Sequence, residues 1–217
     1  MSDFGTDPPA GGMGSRVRAD ERIASGKLYV GVDPSGGKGS WGFAVVLWLS
    51  GGCRILRAWE SKPSEAYSSL KRLAGAGVYA VGVDAPLNIL GRTPTWRGCE
   101  RYALKRGARL LPLNTPGMIA LSRIGNSIFR LLEEAGIPAV EAHPSSILSA
   151  LGLKTGYYRR SHVVDALIAA VAAAAFFEKP SAVEAAVDDC VLVYKLSEGF
   201  ANVCQLYMLN VDSRPSH

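Results

Sequence analysis

Leu28-Tyr29-Val30-Gly31-Val32-Asp33 is an apolar run closed by a carboxylate, and its last four residues recur as Val81-Gly82-Val83-Asp84. β-Branched residues bounded by turn formers mark both as strands. A third apolar run, Ile137-Pro138-Ala139-Val140, ends at Glu141, and a fourth acid, Asp165, interrupts an alanine-rich helical stretch. Carboxylates in such surroundings repel one another and lose hydration, so each needs a proton, hydrogen bonds or a cation. A divalent metal would answer all four.

Outward from the first strand, Pro34-Ser35-Gly36-Gly37-Lys38-Gly39-Ser40 is dense in turn formers and leads into a second apolar strand, Trp41 to Leu49. Ser50-Gly51-Gly52 forms a tight turn, and Arg54 to Glu60, of mixed polarity, suits a sheet edge. These strands make an antiparallel meander. Pro63 to Ala74 carries Ala66, Leu70 and Leu73 at helical spacing and crosses over to the second Val-Gly-Val-Asp strand, where the sheet turns parallel.

Pro86 to Gly136 is a long excursion containing two helices. Gly98 to Arg109 carries basic residues at four-residue intervals, with Arg97 just before it and Arg101 and Lys105 within it; the other starts at Pro116 after the N-cap Thr115 and stops at Gly136. Ile137 to Glu141 is the next strand and Pro144 to Leu151 a short helix. After the basic, tyrosine-containing loop Lys154 to Arg160, Ser161 caps a helix from His162 to Phe177. Its His162, Asp165, Ala166, Ala169, Ala170 and Ala173 fall on one face, which presents small residues to a close neighbour and aims Asp165 at the sheet.

This element order is that of the ribonuclease H-like α/β fold. The expected sheet is mixed and five-stranded, an antiparallel meander followed by parallel strands, with flanking helices. The expected organisation is a flexible tail over 1–26, the domain over 27–182 with a helical insertion at about 88–136, and an extension over 183–217 for which no fold can be read. In this topology the first and fourth strands are central neighbours, so Asp33 and Asp84 end adjacent parallel strands and Glu141 ends the one next door. Ligands in open α/β sheets bind at such carboxyl ends.

At 217 residues and 48% hydrophobic content, the chain has room for one enlarged domain. The longest apolar stretch, Val163 to Phe177, falls short of the roughly 20 residues a spanning helix needs and contains Asp165. Met1 to Gly26 lacks the apolar core of a secretory signal, so a cytoplasmic location is expected. The four cysteines, Cys53, Cys99, Cys190 and Cys204, show no paired spacing and no nearby histidine cluster, which argues against zinc. Reduced thiols are expected, with a Cys190 to Cys204 bridge across a C-terminal hairpin as the alternative. A net charge of +5 permits a polyanionic partner without requiring one.

Several segments together resemble a known family. Gly31 to Asp33, Asp84-Ala85-Pro86, Arg97-Gly98-Cys99-Glu100, Glu141-Ala142-His143-Pro144 and Asp165-Ala166-Leu167 are similar to the family called domain of unknown function 429, described as ribonuclease H-like nucleases. The resemblance spans about Leu28 to Phe177. It departs at Glu100, where the family often has Asp, and its C-terminal signature is reduced to Glu198-Gly199-Phe200. More narrowly, His162-Val163-Val164-Asp165-Ala166 is similar to the last active-site helix of RuvC-type Holliday junction resolvases, enzymes of this fold that work as symmetric pairs. The resemblances imply a metal-dependent nuclease with a nucleic-acid partner, DNA or RNA, and allow a homodimer.

The chemistry implied is hydrolysis of phosphodiester bonds with Mg2+ or Mn2+, which prefer oxygen ligands and act as a pair about 3.5 to 4 Å apart. In this assignment Asp33 bridges the ions, Asp84 and Asp165 complete their coordination, and Glu141 binds directly or from behind. His162 positions water or moves a proton, a role open to His143 as well. Lys38, Arg97, Arg101, Lys154, Arg159 and Arg160 are the expected substrate contacts. Arg92, Lys105, Arg106 and Arg109 add charge to the insertion, and Trp96 and Tyr102 add stacking surfaces. The plainer readings are that Asp33 is a turn residue, Glu141 the partner of an insertion arginine, His162 a solvated or capping residue, and the basic face simply hydrated.

Two rival functions share the topology. Actin-like ATPases and sugar kinases hold phosphates on an Asp-turn element that the segment from Asp33 to Lys38 resembles, but they need two such domains, and the glycine loop does not fit a P-loop. A non-catalytic nucleic-acid-binding module is the other, since fold does not imply activity.

Overall fold

The computed structural model describes residues 26–37, 39–50, 52–89, 93–153, 161–204 and 206. The tail expected before Gly26 and the basic loop from Lys154 to Arg160 lie outside them. Strand β1 (Lys27–Asp33) pairs antiparallel with β2 (Trp41–Leu49), which pairs antiparallel with β3 (Gly52–Ser61). Helix α1 (Pro63–Ala74) crosses to β4 (Val78–Val83), parallel to β1. Helices α2 (Gly98–Leu104) and α3 (Pro116–Glu134) intervene before β5 (Ala139–Ala142), which is parallel to β4. Then come α4 (Pro144–Ala150), α5 (His162–Glu178), the hairpin of β6 (Val183–Val187) and β7 (Val191–Leu196), and α6 (Glu198–Val203).

The strand order is β3-β2-β1-β4-β5-β7-β6, with the meander at one side and parallel strands beyond it. This is the ribonuclease H-like arrangement, enlarged. The expectation of five strands is corrected to seven, because the segment left unread pairs β7 parallel to β5 and β6 antiparallel to β7. Those strands span only five and six residues around an acidic turn, too short for periodicity alone to declare them. α2 is also shorter than expected, ending at Leu104.

Side-chain alternation divides the sheet into two packed faces. Val30, Val32, Val81 and Val83 join a core with Ala66 and Leu70 of α1 and Ile128 and Leu132 of α3. Tyr29, Ala44, Ala80 and Val140 face the other way, onto the alanines of α5. That helix is buried almost all round from Asp165 to Ala175, which explains its lack of an amphipathic pattern.

The glycines of the repeated tetrapeptide have a steric purpose. Gly31 and Gly82 are register partners on β1 and β4. A Cβ on Gly31 would run into the carbonyl oxygen of Ala166, and one on Gly82 into that of Ala169. Only glycine lets α5 lie this close to the sheet. In each copy, then, valines bury on one face, glycine admits α5 on the other, and the aspartate emerges at the strand end on the α5 side.

Disulfides join Cys53 to Cys204 and Cys99 to Cys190, with Cα separations of 5.0 and 5.8 Å. Both the expected thiols and the Cys190 to Cys204 pairing are thus replaced. The hairpin turn is tied to α2, and the end of α6 to edge strand β3. Among the described residues, no helix is long and apolar enough to cross a membrane.

Candidate metal centre

Three of the four sequence-singled acids meet at one point. Asp33 closes β1, and the amide of Asp84 donates to the Val32 carbonyl at 2.9 Å, carrying the β1–β4 ladder one step past β4. Since Val32 pairs with Val83, Asp33 and Asp84 stand level on neighbouring strands. Asp165 reaches them from the first turn of α5, where the Ser161 hydroxyl accepts from the Val164 amide. One carboxylate oxygen from each of Asp33, Asp84 and Asp165 lies within 4.8 Å of the others. The N-terminal end of α5 favours negative charge here.

His162 opens the same helix, and its Nδ1 stands 2.6 Å from Asp33 Oδ2. A carboxylate can only accept, so Nδ1 carries the hydrogen, and in the neutral ring Nε2 is the basic nitrogen. The imidazole is partly exposed while the Asp33 side chain is nearly buried. Three converging carboxylates form a hard-oxygen donor set suited to Mg2+ or Mn2+. The other acid and sulfur group among the described residues, Cys99, Asp189 and Cys190, has its two sulfurs bonded together, which removes them as thiolate ligands.

Glu141 takes a different place from the one expected. It pairs with Val83, one residue short of Asp84, so alternation turns it away from the α5 face. There Arg97 Nη1 and Nη2 donate to its two oxygens at 2.7 and 2.6 Å, and the Leu87 amide donates to Oε1 at 2.8 Å. Arg97 also donates to Glu100 and to the Leu87 carbonyl. Burial pushes the Glu141 carboxyl up to about 7, against the pull of the Arg97 guanidinium and the Leu87 amide.

Arg97, expected as a substrate contact, is 7% exposed and committed to this triad. The plainer reading of Glu141 as the partner of an insertion arginine therefore describes what the structure holds. Arg101 is exposed, with Nη1 donating to the Trp96 carbonyl at 3.0 Å, and Arg106 stacks on the exposed Tyr102 ring. His143 caps α4, its Nδ1 accepting from the Ser146 amide. Lys38, Arg92, Lys154, Arg159 and Arg160 lie outside the described residues. A set of groups that the sequence did not single out, Leu111, Met118 and Ser145, lines a cleft with Asp33 and Asp84; its only signal was the apolar stretch Leu110 to Leu113 inside a polar insertion.

Fold and site together define a ribonuclease H-like domain with three carboxylates gathered at the carboxyl edge of its sheet. Neither a protein-family model nor a curated protein matches the chain. Among solved structures it is similar to Thermus thermophilus RuvC in complex with a Holliday junction substrate, at 20% identity and a TM-score of 0.36, covering 66% of this chain and 90% of that one. A second Thermus thermophilus RuvC structure gives 18% identity and a TM-score of 0.37 over the same shares. Likenesses at this level supply no residue correspondences.

Proposed function

We propose that the protein is a metal-dependent nuclease that hydrolyses phosphodiester bonds of nucleic acid, with Asp33, Asp84 and Asp165 as the residues that hold a pair of Mg2+ or Mn2+ ions. The observation that carries this reading is the meeting of three carboxylates at two adjacent parallel strand ends, beside a histidine hydrogen-bonded to one of them. Bound there, such ions activate water and stabilise the charge on the leaving oxygen. Asp33 holds the His162 ring in one orientation, and Nε2 serves as the proton acceptor or donor for the attacking or departing oxygen. Arg101, Lys38 and the residues Lys154, Arg159 and Arg160 that precede α5 supply phosphate contacts. The motif resemblance to domain of unknown function 429 points the same way.

The test is cleavage of labelled single-stranded, duplex, hybrid and four-way-junction substrates by wild type and Asp33→Asn, with magnesium, manganese or chelator. Metal-dependent cleavage that is lost in the variant is expected. Manganese binding without cleavage of any substrate would leave a phosphate- or nucleotide-binding role; neither binding nor cleavage would leave a non-catalytic module.

A further inference from the structure

We propose that the cleft beside the acidic trio receives a single nucleobase turned out of its stack, so that the strand bound there must be unpaired, or easily unpaired, next to the phosphate it presents. The inference deepens the nuclease reading and takes its substrate class from the cleft's shape. The cleft holds about 200 Å³. Asp33 and Asp84 share its lining with His143 and Ser145 and with Glu100 and Glu141, whose carboxyl groups Arg97 holds, while Leu111, Leu113, Met118 and Leu121 contribute apolar wall. That volume lies below the roughly 300 Å³ where pockets for drug-sized ligands begin, so it suits one ring system and not a base pair.

Apolar walls with a few polar groups are what a base requires, because its faces are apolar and its edge is rich in donors and acceptors. The hydroxyl of Ser145 and the imidazole of His143 are groups of the kind that read such an edge. Leu111 remains 66% exposed although Leu113, two residues on, is 1% exposed. An isolated exposed leucine is ordinary, but this one stands on the lining of a cleft shared with two of the trio's acids. A duplex offers only base edges, so entry requires unpairing, which costs a few kcal/mol and least at bulges, mismatches and single strands.

The test uses the full chain, calcium to support binding, and a duplex carrying 2-aminopurine either paired or as a one-nucleotide bulge. Emission from the bulged probe is expected to rise severalfold on binding as the base leaves its stack for a pocket whose lining has no Phe, Tyr or Trp ring. Met118→Trp, which fills the cleft, and Leu111→Glu, at an exposed position where folding is not at risk, should each abolish that rise while fluorescence anisotropy still reports binding. With magnesium, the bulged strand should be cut at least about tenfold faster than the paired one, in line with the few kcal/mol of unpairing that a bulge avoids.

No rise with the bulged probe, or a rise unchanged in both variants, overturns the pocket whatever the cleavage data show. Equal cutting of paired and bulged strands, abolished by Asp165→Asn, also overturns it while leaving the nuclease reading intact. A rise lost in both variants, without metal-dependent cleavage, keeps the pocket and removes the nuclease reading.

Discussion

At the carboxyl ends of β1, β4 and β5 the chain places an acid each time, yet neighbouring acids are handled in opposite ways. Asp33 and Asp84 are brought to a third carboxylate, Asp165. Glu141, a strand away, is brought to the guanidinium of Arg97. The difference is one residue of register: Asp84 lies one position beyond the pairing of Val83 with Glu141, so the two side chains leave opposite faces of the sheet. One face meets α5, whose first turn brings an acid; the other meets the insertion, which brings a cation. Like charges gathered without a cation destabilise one another, so the proposed function makes the trio the region that binds, while the Arg97 triad is held by its own hydrogen bonds.

The largest expected effect breaks the first half of that contrast. Asp165→Asn should lower cleavage by at least about a thousandfold, some 4 kcal/mol in the transition state. In chelator the same variant should melt at or above wild type, because it removes repulsion. A lower melting temperature in chelator would make Asp165 structural.

Arg97→Met attacks the other half. Removing one partner of a buried ion pair strands the remaining charge and costs about 3–5 kcal/mol. For a chain of this size that is a fall in melting temperature of roughly 6–20 °C. Adding Glu141→Gln should restore part of the loss by removing the stranded charge. Melting within a degree or so of wild type would mean that the triad holds nothing.

Much of this was legible in the chain and some was not, for identifiable reasons. The two Val-Gly-Val-Asp strands announced their type by their β-branched runs, and the aspartate within the apolar helix after Ser161 announced its approach to the strand ends, because it defies its local pattern. Alternation could have separated Glu141 from Asp84, but only with the β4–β5 register in hand, and an isolated run such as Ile137 to Glu141 does not state its register. The glycines read as strand residues with nothing to pack; their purpose depends on how closely α5 approaches, which no local signal carries. The β6–β7 hairpin was hidden by its shortness, and the disulfides by sequence separations of 151 and 91 residues.

Metal binding sharpens the comparison at a smaller scale. Manganese at about a hundred times its dissociation constant should stabilise wild type by about 2.7 kcal/mol, or roughly 5–11 °C. Asp33→Asn should lose this shift, whereas Glu141→Gln should keep it from its own lower baseline. If Glu141→Gln also loses it, Glu141 is a ligand and the two regions are one site.

The smallest effect is a pH slope that tests how Glu141 is held. Its carboxyl sits up at about 7, from an ordinary 4.5, because burial outweighs Arg97 and the Leu87 amide. Between those values the folded chain keeps a proton that the unfolded chain has released. The group's contribution to stability is therefore fully present below 4.5, falls as pH rises, and levels off beyond about 7. Melting temperatures of wild type and Glu141→Gln, both in chelator, isolate this slope, since the titration of the acidic trio is common to the two proteins and cancels. The wild-type advantage should shrink across that window. An advantage that instead grows as pH rises through the carboxylate range would mean that Arg97 outweighs burial, leaving Glu141 ionised and the contrast with the trio sharper still.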